Sequence, residues 1–160
     1  MVLMGVDVGF GGAVAFVSST DMSWHEVFDM PVIKVGTKKE LDLSRLATII
    51  TRHGSDVSSY VESVSAMPRQ GVASMFRFGM SYGVIQGMTS MAGHRLTLVK
   101  PRTWQASMLR DMSKDKGSSL LRAKQLFPDA ELVTPRGRKL DGRSDALLIA
   151  RYGQQKETGI

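Results

Sequence analysis

The sequence contains no cysteine. Disulfides, thiolate metal sites and a cysteine nucleophile are therefore excluded, and any bound metal must be held by oxygen or imidazole ligands. Histidine is nearly as scarce: His25, His53 and His94 are scattered without ligand spacing and read as surface or structural groups. No apolar run approaches the ~18 residues of a membrane span. The segment from Met1 to Val8 lacks a basic stretch and carries an acid, so it is not expected to act as a signal peptide. Internal repeats, low-complexity tracts and a second-domain linker are also missing, so one domain over residues 1–160 is expected. The lack of thiols fits a reducing, cytoplasmic setting.

What is present is an ordinary globular composition, 42% hydrophobic and 22% charged, with a net charge of +6. The charge is unevenly spread. Residues 1–99 carry 8 basic and 8 acidic side chains, whereas residues 100–160 carry 13 and 7. A basic half points to a polyanionic partner such as DNA or RNA, or to a solubilising surface.

Apolar patterning predicts an α/β chain with a mixed sheet. Met1–Val8 reads as a buried strand, Gly9, Gly11 and Gly12 as a turn, and Ala13–Val17 as its hairpin partner. Trp24–Asp29 is a third strand, and 31–40 a loop with Lys34, Lys38 and Lys39. Helical spacing of Leu43, Leu46, Ile49 and Ile50 predicts a helix over 41–53, followed by a strand within 56–63. Gly71–Met91 reads as a long helix in which Gly79, Gly83 and Gly87 share one face. Each glycine costs about 1 kcal/mol of propensity, so a close contact is expected there, within the chain or with a second subunit. A strand over 95–100, a helix opened by Pro101 and a helix over 118–127 follow. Thr134–Leu140 reads as a polar loop, and Ala146–Tyr152 as a final helix ended by Gly153.

Two acids stand at the ends of otherwise apolar strands: Asp7 in Gly5-Val6-Asp7-Val8-Gly9 and Glu62 in Val61-Glu62-Ser63-Val64. Burying an unpaired carboxylate costs several kcal/mol, so each needs a cation, donors or a proton, unless it bonds the adjacent turn or reaches the surface. If the strands are neighbours, the two would share a cation. Asp145 opens an apolar helix, where the macrodipole favours an acid, and Asp141 suits an N-cap. Should one helix include both, their i,i+4 spacing makes them repel unless a metal sits between. Hard oxygen ligands suit Mg²⁺ or Mn²⁺.

These segments, with Asp141-Gly142-Arg143-Ser144-Asp145-Ala146-Leu147-Leu148-Ile149-Ala150, resemble in order and separation those of the RuvC-type Holliday-junction resolvases. The small size resembles a bacteriophage member. The resemblance implies a ribonuclease-H-like fold with helices on both faces of the sheet and a homodimer. It also implies metal-dependent cleavage of four-way and other branched DNA in the cytoplasm of a bacterial host. It carries the metal-ligand and catalytic role onto Asp7, Glu62 and Asp145. The family's fourth ligand usually stands where this chain has Gly142, and Asp141, one residue further back, is the candidate for that role here. Some members use an aromatic residue after the strand-end glutamate at the junction centre. Ser65 stands near that place, and Met67, Phe76 and Phe78 are the possible substitutes.

The implied chemistry is two-metal phosphodiester hydrolysis with no protein nucleophile. Arg136, Arg138 and Lys139 precede the acidic pair and are expected to bring DNA phosphates to it, with Lys100 and Arg102 as further contacts. The alternatives are a non-catalytic branched-DNA-binding module, and a nuclease of flaps or RNA–DNA hybrids. The stretch from Asp7 to Gly12 also resembles the first phosphate loop of actin-like and sugar-kinase ATPases, but 160 residues leave no room for their second domain.

Overall fold

The computed structural model describes residues 1–65, 71–113, 115 and 117–159. Its main sheet has five strands: β1 (Val2–Asp7), β2 (Ala13–Ser18), β3 (His25–Asp29), β6 (Val57–Glu62) and β7 (Arg95–Val99). Their order across the sheet is β3-β2-β1-β6-β7. The glycine turn returns β2 antiparallel to β1, and β3 is antiparallel to β2. β6 and β7 run parallel to β1. The sheet is therefore mixed, as the patterning predicts. β1 is central and apolar because it is covered on both faces.

One face carries α3 (Pro101–Met108), α4 (Ser118–Leu126) and α5 (Asp141–Thr158). Trp104, Phe127, Leu147 and Ile149 fill the core beneath them. The other face carries α1 (Leu43–Thr51) and α2 (Val72–Met91), with Leu46, Ile50 and Ile85 packed on Met4, Val6 and Phe16. Asp42 caps α1 by accepting a hydrogen bond from the Arg45 amide at 3.0 Å. No helix among the described residues is long and apolar enough to cross a membrane.

Three expectations are corrected. The stretch 31–40 is not a loop: β4 (Val32–Val35) and β5 (Lys38–Leu41) form a separate antiparallel hairpin. Gly36 makes its turn possible at φ +63°, a left-handed conformation that glycine adopts without steric cost. The final helix does not stop at Gly153. It starts at Asp141 and runs to Thr158, where Gly159 ends it at φ +71°. Gly153 stays inside the helix because it packs on Tyr60, and a Cβ there would overlap that ring. Finally, Gly79, Gly83 and Gly87 do not serve close packing among the described residues, since a Cβ at each would meet only open space there.

Candidate metal and nucleic-acid site

The acids meet because β1 and β6 are adjacent and parallel. Val6 pairs with Val61, so Asp7 and Glu62 are the next residues at the same end of both strands. α5 brings Asp145 onto that end by lying directly on β1. Gly5 is what allows it: a Cβ there would overlap the Ala146 carbonyl and the Ala150 backbone. The first turn of α5 sits equally close to the β1–β2 turn. A Cβ on Gly142 would overlap the backbone of Gly11 and Gly12. Position 142 therefore has no room for a ligand side chain, and the nearby acid stands at Asp141 instead.

The electrostatics record the convergence. Burial, then the charges of Glu62 and Asp145, push the Asp7 carboxyl up to about 7, against a hydrogen bond from the Gly9 amide. Burial pushes Asp145 up to about 6. The Ser119 side chain opposes this, while Glu62 and Asp141 add to it. Burial also raises Glu62, although the indole of Trp104 donates to its Oε1 at 2.9 Å and favours the charged form. Oδ1 of Asp145 is buried without a hydrogen-bond partner among the described residues. Such an oxygen costs free energy that a cation would offset.

Asp141 is exposed and is the first residue of α5. It is not the N-cap: Leu140 holds that place without a side-chain capping bond. One helix thus includes both Asp141 and Asp145, and the Asp141 charge adds to the rise at Asp145. The oxygen-only donor set, the unpartnered oxygen and the mutual repulsion all fit a hard divalent cation. Among the described residues, however, no three such side chains are drawn tightly enough together to hold one ion.

The basic candidates adjoin these elements in the chain and are exposed. Arg136, Arg138 and Lys139 are exposed on a tight turn, closed by a bridge between Val133 and Lys139 and by Gly137 at φ +80°. Lys100 and Arg102 are exposed at the start of α3, just after Val99, which pairs with Glu62. Ser65 is exposed, Phe76 is 69% exposed and Phe78 is half-buried. Met67 lies outside the described residues. The histidines are engaged elsewhere. His53 contacts Glu26 at 2.8 Å, buried His94 contacts Ser59, and His25 contacts the Ser23 carbonyl.

Three residues the sequence did not single out support the site. Trp104 is fully buried and holds Glu62. A buried indole N–H requires an acceptor, which is the one signal available beforehand. Ser119 faces Asp145 from α4. Arg143 donates to both oxygens of Asp29, at 2.7 and 3.0 Å, and to the Glu131 carbonyl at 2.9 Å. It ties the start of α5 to the end of β3.

No family model matches the chain, and no curated protein matches it. Solved structures do. Thermus thermophilus RuvC is similar with a TM-score of 0.56 and 17% identity, over 99% of this chain and 97% of its own. T. thermophilus RuvC in complex with a Holliday junction substrate is similar with a TM-score of 0.62 and 16% identity, over 99% and 96%. The fold is ribonuclease-H-like. The bacterial chains are matched over nearly their whole length, so compact size does not distinguish a bacteriophage member.

Proposed function

We propose that this chain is a metal-dependent endodeoxyribonuclease that resolves four-way and other branched DNA by phosphodiester hydrolysis. One observation carries the reading. Asp7, Glu62 and Asp145, from two adjacent strands and the helix crossing them, sit half-buried and electrostatically coupled at one end of a RuvC-like sheet. A solved neighbour of that fold is in complex with a Holliday junction substrate.

Asp7, Glu62 and Asp145 would hold the metal, with Asp141 reaching in from the first turn of α5. Mg²⁺ or Mn²⁺, two ions per site, would supply charge neutralisation and water activation for in-line hydrolysis. Trp104 fixes the Glu62 carboxylate, and Ser119 restrains Asp145. Arg136, Arg138 and Lys139 bind backbone phosphates beside the acids, and Lys100 and Arg102 extend that contact past β7. Such contacts read shape rather than sequence. Phe76, strongly exposed, is the better placed aromatic for the junction centre, since Phe78 is half-buried.

The chain would act as a homodimer through α2. Its glycine face, flanked by exposed Met91, is uncharged and has no partner among the described residues, which favours a second copy. Paired sites would suit cutting two strands of one junction, and a bacteriophage origin is compatible with this.

One observation favours a non-catalytic branched-DNA-binding module: no three acids are drawn together tightly among the described residues. Incubation of a four-way junction, a flap, a linear duplex and an RNA–DNA hybrid with Mg²⁺ or Mn²⁺ separates the readings. Resolution expects preferential cutting of the junction. Binding without cutting of any substrate supports the module instead. Equal cutting of the linear duplex removes the branched-DNA specificity, and preference for the flap or hybrid reassigns the substrate.

A further inference from the structure

The β4–β5 hairpin is a charged element that the carboxylate site does not use. Lys34 lies directly opposite Lys39, and Val35 opposite Lys38. Like charges opposed across a ribbon are destabilising, and a two-stranded hairpin is marginal to begin with. Among the described residues, none of these lysines is within ion-pair distance of an acid. Arg77 on α2 is likewise without an acidic partner among them, and its Nε donates only to the Ala73 carbonyl of its own helix.

Two adjoining cavities, of about 290 and 450 Å³, lie between the hairpin and the first half of α2. They share Phe10, Lys39, Arg77 and Ser81, and Phe78 and Val8 line the smaller one. Val8 packs with Met4 and Val6 on the α1/α2 side, so the cavity lies on that face of the sheet, beside the end of β1. Aromatic walls with cations at the rim are the chemistry that receives an unpaired base and its phosphate. A paired duplex offers no free base face to such a cavity.

We propose that this cavity binds one unpaired nucleotide of the DNA substrate, with the base against Phe10 and Phe78 and the phosphate held by Lys39 and Arg77. The inference rests on the nuclease reading only for the choice of DNA as the polymer. It assigns the hairpin lysines a polyanion that relieves their opposition.

The test is fluorescence anisotropy without divalent metal, comparing a duplex carrying a single-nucleotide bulge with the fully paired duplex. The wild type is expected to bind the bulged duplex about tenfold more tightly. Phe10→Leu should reduce that preference to about twofold while keeping apolar bulk. Lys39→Gln and Arg77→Gln should weaken both complexes and each lower the salt slope by about one. Equal wild-type affinity for both duplexes overturns the proposal, as does an unchanged salt slope in both cation variants. Lys39 is exposed, so its variant tests the site even if Phe10→Leu fails to fold. A chain that shows the expected preference but never cuts with Mg²⁺ or Mn²⁺ leaves this site standing and removes the nuclease. A chain that cuts junctions while these variants bind unchanged does the reverse.

Discussion

Asp7 is a carboxylate held where folding alone would not put one. Its pKa is raised, so the metal-free fold loses stability as pH climbs from the unfolded value near 4 through about 7. Asp7→Asn removes that charge, and at pH 8 it should stabilise the metal-free protein by on the order of 1–3 kcal/mol. Urea denaturation with chelator checks this; a destabilised variant would mean that the carboxylate makes bonds that outweigh its burial. Trp104 shapes the neighbouring acid. Trp104→Phe keeps the ring but leaves Glu62 without its donor, and cleavage should slow about 10–100-fold with junction affinity unchanged. Equal rates would make the indole a packing group only. The strand-end acids were legible in the sequence because a charge interrupts an apolar run. The Trp104–Glu62 pair was not, since its members are 42 residues apart and no spacing rule links them.

α5 is the element that assembles the site, and it does so through glycine. Gly5→Ala would force the helix away from β1, at a cost of about 2–4 kcal/mol, because backbone rather than a flexible side chain is in the way. Gly83→Ala on α2 meets open space and should instead stabilise an isolated chain by about 0.5–1 kcal/mol. Thermal melts of the two variants should therefore move in opposite directions. His94 joins the β7 start to Ser59 of β6 and to the Gly54 carbonyl. Burial lowers its pKa, so its contribution is complete above the unfolded value near 6.5 and is lost as pH falls below it. His94→Gln should flatten stability between pH 7 and pH 5 relative to wild type. At this scale the sequence misled where glycine was the signal. Gly153 resembles a helix stop but is packing room for Tyr60, and the Gly36 turn joins strands whose lysines disguise them as loop.

For the whole molecule, periodicity predicts the order of helices and strands apart from the β4–β5 hairpin, and the mixed sheet follows from a hairpin preceding parallel crossovers. What the α2 glycines serve was beyond its reach, because nothing among the described residues covers them. The charge asymmetry is carried by exposed residues: Lys100 and Arg102 follow Val99, the partner of Glu62, and Arg136, Arg138 and Lys139 precede α5. Junction affinity should consequently fall steeply between 50 and 200 mM salt, as expected when several phosphates are neutralised. The most direct test of the nuclease is single-turnover cleavage of a four-way junction in Mg²⁺ by wild type, Asp7→Asn and Glu62→Gln, with binding measured on the same samples. Both variants should bind within a few-fold of wild type and cut on the order of a thousandfold more slowly, about 4 kcal/mol of barrier. Cutting at the wild-type rate by either variant would contradict the carboxylate site.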